Sequence, residues 1–147
     1  MGEDLADESK TVQAVLDSTL ESVDQAERVA LALARESGFE EEDLDRIGMS
    51  VRECMVNAVV HGNRYNSHKK VQLSVSRTPE RFTIRIADQG EGFDPCKLPD
   101  PVVGENVFRE SGRGIFLMKT FMDELQVRRL HPEGTEVTLI KNVVSKR

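Results

Sequence analysis

Tryptophan is missing from this chain, tyrosine occurs once and cysteine twice. Cys54 and Cys96 are far apart and form no C-x-x-C pair, which predicts free thiols in a reducing compartment rather than a disulfide scaffold. Three scattered histidines fall short of the ligand number and spacing of a zinc site. No apolar run approaches the roughly 20 residues of a membrane-spanning helix. The acidic start, Met1 to Lys10, has neither the basic n-region nor the apolar h-region of a secretory signal. A cytoplasmic protein that does not engage a membrane is expected. Positive charge is also in deficit: Lys and Arg number 20 against 26 Asp and Glu, a formal net charge of −6. That excess repels nucleic acid, and no basic stripe interleaved with aromatics offsets it, so direct nucleic-acid binding is not expected. The short basic cluster from Arg64 to Lys70 reads as a solvated turn.

What is present is a soluble globular balance, 38% hydrophobic and 31% charged over 147 residues, enough for one domain with one core. Residues 1–9 read as a disordered acidic start and residues 10–147 as the single domain. Val12, Ala14 and Leu16 alternate with polar positions, a weak edge-strand signal. Val23, Ala26, Ala30, Leu33 and Ala34 recur at helical spacing, with Gly38 as the stop. A second helix starts near Glu41–Asp43, where acids suit the positive end of the helix dipole. Its apolar stripe is Ile47, Val51, Cys54 and Ala58, and Gly62 ends it. Met49, Met55, Met118 and Met122 are expected in the core.

Val71, Leu73, Val75 and then Phe82, Ile84, Ile86 alternate as two strands around a turn at Thr78-Pro79-Glu80. The stretch from Gly90 to Ser111 carries three prolines and no periodicity, the pattern of a long functional loop. Ile115, Met118, Phe121 and Met122 mark a further helix, and Val127 with Arg129, then Val137 with Leu139, two more strands. The order β-α-α-β-β-loop-α-β-β predicts an α+β two-layer sandwich. Its sheet is mixed but mostly antiparallel, with helices on one face.

Three separated motifs carry chemistry. Glu53 and Asn57 lie four residues apart on one helix and so share a face. An amide oxygen is a hard ligand suited to Mg²⁺, and a nearby carboxylate can orient or deprotonate a hydroxyl. As an isolated pair they are equally an exposed polar helix face. Asp88 follows the apolar strand and precedes Gly90 and Gly92. A carboxylate there can accept a hydrogen bond from the exocyclic amine of adenine, although D-x-G alone is more often a plain turn. Ser111-Gly112-Arg113-Gly114-Ile115 opens a helix, where free N–H groups bind phosphate, or where Ser111 is simply the cap. Thr135 after Gly134 is placed to hold a water shared with Asp88, or is merely a strand residue. The order of these motifs within about 60 residues favours a metal-bound nucleotide site over the separate bland readings.

With those residues in hand, the chain resembles a known group. Glu53-x-x-x-Asn57-Ala58-x-x-His61-Gly62-Asn63 resembles the N box of the GHKL ATPase superfamily. Asp88-x-Gly90-x-Gly92 resembles its first glycine box, Gly112-x-Gly114-Ile115-x-Leu117 its second, and Gly134-Thr135 its last. Within that superfamily the likeness is to the anti-sigma factor serine/threonine kinases of bacterial partner-switching systems. The resemblance implies the Bergerat ATP-binding fold, with an ATP lid at about 93–111. It implies ATP and Mg²⁺ as ligands, with ADP as product, Asn57 on the metal and Glu53 as catalytic base or positioner. Asp88, Gly90, Gly92 and Thr135 would surround the adenine, and Ser111, Gly112, Arg113, Gly114 and Ile115 the phosphates. The implied partners are a sigma factor and a STAS-type anti-anti-sigma protein phosphorylated on serine or threonine, and the implied assembly is a homodimer. One departure stands out: where the family pattern often has Arg before the Ser-Gly of the second glycine box, this chain has Glu110, with Arg113 between the glycines. The alternative is therefore a non-catalytic, nucleotide-dependent binding switch.

Overall fold

Alternating apolar residues build five strands, and two amphipathic helices cover one side of the sheet they form. In the computed structural model the described residues are 9–91 and 118–143. The elements are β1 (Lys10–Asp17), α1 (Glu21–Glu36), α2 (Glu41–Val56) with a π-helical extension (Asn57–Gly62), β2 (Lys70–Arg77), β3 (Arg81–Ala87), β4 (Glu124–Arg129) and β5 (Thr135–Asn142). Residues 118–121 are helical. The reading of residues 1–9 as disordered falls, but for residue 9, outside the described residues; the lid at 93–111 lies wholly outside them.

The sheet order is β1-β2-β3-β5-β4. All four pairings are antiparallel, so the mixed sheet expected from sequence is, among the described residues, purely antiparallel. β1 is an edge strand, as its half-buried alternation predicts. Register aligns Leu73 with Ile86, Val75 with Ile84, and Ile84 with Leu139. Because side chains alternate across a strand, these residues share one face, and it is the face that α1 and α2 cover.

In α1 the stripe Val23, Ala26, Ala30, Leu33 and Ala34 is buried, and in α2 Ile47, Val51, Cys54 and Met55. Phe82 at the sheet centre is fully buried and meets Phe39 edge to face, ring centroids 5.7 Å apart. Arg52 also bridges the helices, donating to Asp24 at 2.7 Å and Glu27 at 2.8 Å. An exposed bridge of this kind contributes at most about 1 kcal/mol, whereas each fully buried large apolar side chain contributes about 1.5–3 kcal/mol, so the stripe packing dominates.

One core assignment is corrected. Met55, Met118 and Met122 are buried, but Met49 is 52% exposed. It lies on the opposite side of α2 from the stripe, where helical spacing of an apolar residue does not by itself bring burial.

Candidate functional site

Asp88 begins where the β3 ladder ends. Its backbone N–H donates to the Thr135 carbonyl at 2.9 Å, which holds it against the first residue of β5. Its side chain folds back over the strand ends: Oδ1 accepts from the backbone N–H of Gly90 at 2.9 Å and of Thr135 at 3.3 Å. The residue is 6% exposed. Burial pushes its carboxyl above the ordinary carboxylate range, while the Gly90 and Thr135 N–H groups and the positive charges of Arg129 and Lys69 pull it back down only in part.

Glycines from three motifs close around this carboxylate. A Cβ on Gly62 would overlap the Asp88 carboxylate, one on Gly90 the Gly62 carbonyl, and one on Gly134 the Asp88 carbonyl. Only residues without a Cβ allow the helix end, the β3–loop junction and the start of β5 to meet here. From its place in the sequence, Gly62 is expected to be a helix stop. Its larger role is this close approach, for which the chain order alone gives no signal.

The helix bearing Glu53 and Asn57 changes character at Asn57. The Asn63 N–H donates to the Ala58 carbonyl at 2.8 Å, a bond across five residues that defines a π turn. Such turns are frequent at functional sites. Asn57 is 5% exposed and Glu53 is half-buried. Cys54, next to Glu53, packs its Sγ 3.4 Å from Met118 Sδ, so this helix touches the helical turn at residues 118–121. Burial raises the Cys54 thiol far above its ordinary value, with the neighbouring Glu53 charge adding to the effect.

Of the residues singled out from sequence, Asp88, Gly90 and Thr135 come together directly. Asn57 and Glu53 lie on the helix whose end, Gly62, seals against Asp88. Gly92, Ser111, Gly112, Arg113, Gly114 and Ile115 lie outside the described residues. Two residues not given a role from sequence also shape the site. Arg129 donates to the Glu91 carbonyl at 2.9 Å, pinning the chain just after Gly90. Asn63, named only as part of a motif, is 2% exposed and hydrogen-bonded to three other segments.

A cleft of about 230 Å³ lined by Gly62, Asn63, Arg64, Asn66, Lys69 and Glu91 opens at this end of the sheet. A larger hollow of about 490 Å³ lies on the sheet face away from the helices, among Gln13, Val15, Gln72, Ser74 and Arg85. Site chemistry favours the smaller cleft, because the convergent glycines and Asp88 are at that end and the larger hollow holds none of the motif residues. Asp88 is suited to a base with an exocyclic amine, since its carboxylate keeps lone pairs beyond the two N–H bonds at Oδ1. Asn57 supplies an amide oxygen of the kind Mg²⁺ accepts.

An α+β sandwich with an acid–amide helix and a glycine-ringed aspartate has the make-up of a nucleotide-binding ATPase-type domain. A profile of the histidine kinase-like ATPase domain matches residues 16–141, and the chain belongs to that family. Among similar proteins, the serine-protein kinase RsbW of Bacillus velezensis is 31% identical over 123 residues, covering 78% of this chain and 74% of the relative. The anti-sigma F factor of Clostridium beijerinckii is 28% identical over 137 residues, covering 86% of this chain and 96% of the relative. A solved structure of the RsbU and RsbW domains of Rv1364c from Mycobacterium tuberculosis shares the fold, with a TM-score of 0.66 at 16% identity over 94% of this chain and 34% of that one.

Proposed function

We propose that this protein is an anti-sigma factor that binds ATP with Mg²⁺, sequesters a sigma factor and phosphorylates a serine or threonine of an anti-anti-sigma protein. The observation that carries the reading is the buried Asp88 carboxylate, fixed by two backbone N–H groups and ringed by glycines from three motifs. The names of the relatives, serine-protein kinase and anti-sigma F factor, supply the class of reaction and the partner.

In this reading Asp88 accepts the adenine amine, and Gly90, Gly92 and Thr135 frame the base. Guanine, which has a carbonyl at that position, is disfavoured by the carboxylate. Asn57 would hold Mg²⁺ through its amide oxygen, and the ion would supply positive charge to the phosphates. Ser111, Gly112, Arg113, Gly114 and Ile115 receive the phosphates, through the N–H groups of a helix start and one guanidinium. Glu53 orients the acceptor hydroxyl and takes its proton as the hydroxyl oxygen bonds to the γ-phosphorus and the bond to the β-phosphate oxygen breaks, leaving ADP. Positioning and charge stabilisation carry most of the rate in such transfers. The protein works in the cytosol, as a homodimer.

Incubation with labelled ATP, Mg²⁺ and the cognate antagonist tests the kinase half. Label on an antagonist serine or threonine, lost in Glu53→Gln, is the expected result. Nucleotide binding without transfer would instead support the second reading, a nucleotide-dependent binding switch, which Glu110 at a position often basic in the family favours.

A further inference from the structure

The π turn solves a geometric problem. In an α-helix, with about 100° per residue, Gly62 would point about 140° away from Asn57. A wider turn of about 4.4 residues reduces that offset to about 50°. The metal-side amide and the glycine that seals the Asp88 pocket can then serve one site from one helix. What holds this arrangement is Asn63. Its N–H makes the π bond to Ala58, and its side chain reaches three further segments.

The amide orientation follows from its neighbours. The Ser18 hydroxyl donates its proton to the Lys69 carbonyl, so toward Asn63 it can only accept, and it does so from Nδ2 at 2.9 Å. Nδ2 also donates to the Lys70 carbonyl at 3.0 Å. Oδ1 therefore faces the other way, accepting from the Gln89 N–H at 2.7 Å. The Gln89 side chain in turn accepts from the Lys70 N–H. The residue after Asp88 is thus tied at its backbone to Asn63 and at its side chain to β2.

We propose that Asn63 is a positioning residue that sets the base selectivity of the site, by locking the loop that carries Asp88 onto the end of the π turn. The inference rests on the adenine-nucleotide reading of Asp88. Hydrogen bonds discriminate bases through direction, whereas phosphate contacts tolerate small displacements. Loosening the Gln89 N–H therefore removes the advantage of adenine over guanine and leaves the phosphate contribution in place.

The test uses the full chain with Mg²⁺ and compares dissociation constants for ATP and GTP, with a thermal melt for each variant. Asn63→Ala is expected to reduce the ATP-over-GTP preference about tenfold, the scale set by one unmade buried hydrogen bond, while GTP affinity stays within about threefold of the parent's. Asn63→Asp keeps an acceptor for Gln89 but sets a carboxylate oxygen against the Ser18 oxygen and the Lys70 carbonyl, both acceptors, so it is expected to lose the preference as Asn63→Ala does. A folded Asn63→Ala protein with the parent's ATP-to-GTP ratio overturns the proposal. A second measurement needs no variant: in the nucleotide-free parent, the Gln89 and Gly90 amides should exchange with solvent as slowly as the adjoining β3 amides, and exchange at an open-loop rate overturns it. A parent without preference for ATP removes the reading of Asp88 and this inference with it. A parent that prefers ATP beside an unaffected Asn63→Ala removes the inference alone.

Discussion

Replacing Asp88 with asparagine isolates charge from shape. The new side chain has almost the same outline, and its carbonyl oxygen can still accept from the Gly90 and Thr135 N–H groups that now hold Oδ1. What changes is the other oxygen, which becomes an NH₂ group against Gly62 and, in the proposed complex, against the adenine amine. A charge-assisted hydrogen bond worth about 1.5–3 kcal/mol is lost and two donors meet, so ATP affinity should fall by about 10- to 150-fold. Stability should not fall with it. The Asp88 carboxyl is raised by burial, meaning that the folded chain holds the proton more tightly than the unfolded one. Its contribution to stability therefore declines as pH rises from the ordinary carboxylate range through the raised folded value. Asparagine carries no such penalty, so Asp88→Asn should melt at or above the parent's temperature at pH 7, with that difference shrinking on acidification. The same shift predicts that the parent's ATP-over-GTP preference decays on acidification at a higher pH than an exposed aspartate would give. Using the ratio cancels titration of the phosphates. The assay is competition binding of ATP and GTP from pH 4 to neutrality, beside thermal melts. Unchanged ATP affinity in a folded Asp88→Asn protein would refute the assignment of Asp88 to the base.

Gly62→Ala places a methyl group on the Asp88 carboxylate, and overpacking of this kind costs about 1–3 kcal/mol; a urea melt should show the loss, and ATP binding should fall further than stability does. Asn57→Ala should weaken ATP binding in the presence of Mg²⁺ and leave metal-free binding nearly unchanged, as read by titration with and without chelator; equal losses in both would detach Asn57 from the metal. Cys54 is buried with a raised thiol, so in a Cys96→Ser background a thiol reagent should label the chain only as fast as it unfolds, and rapid labelling of the native protein would contradict that burial.

Much of this architecture is written in simple periodicities. Val71, Leu73 and Val75, and Phe82, Ile84 and Ile86, alternate cleanly because one sheet face is covered and the other is open. The α1 stripe is equally plain. The limits of periodicity show at Met49, an apolar residue on the side of α2 away from the buried stripe. They show again at Asn57–Gly62, where six residues are too few for a 3.6-residue repeat to be told from a wider one. The place of Asp88 was legible, since an aspartate between a strand and glycines falls at a strand end where backbone N–H groups are free to meet it. The supports were not. Asn63 bonds to Ser18, Lys70 and Gln89, and Arg129 to Glu91; contacts across such chain separations depend on strand register, which no local pattern announces. Strand order beyond the two hairpins also depends on β5 pairing with β3, a contact far apart in the chain.

The central claim is that the end of the sheet around Asp88 and the helix bearing Asn57 form one adenine-nucleotide pocket. Titration calorimetry of ATP into the folded full chain with Mg²⁺ tests it most directly. The account predicts a single saturable site, tighter for ATP than for GTP and abolished or strongly weakened in Asp88→Asn. Heat no greater than dilution for ATP, or equal binding of ATP and GTP, would contradict it.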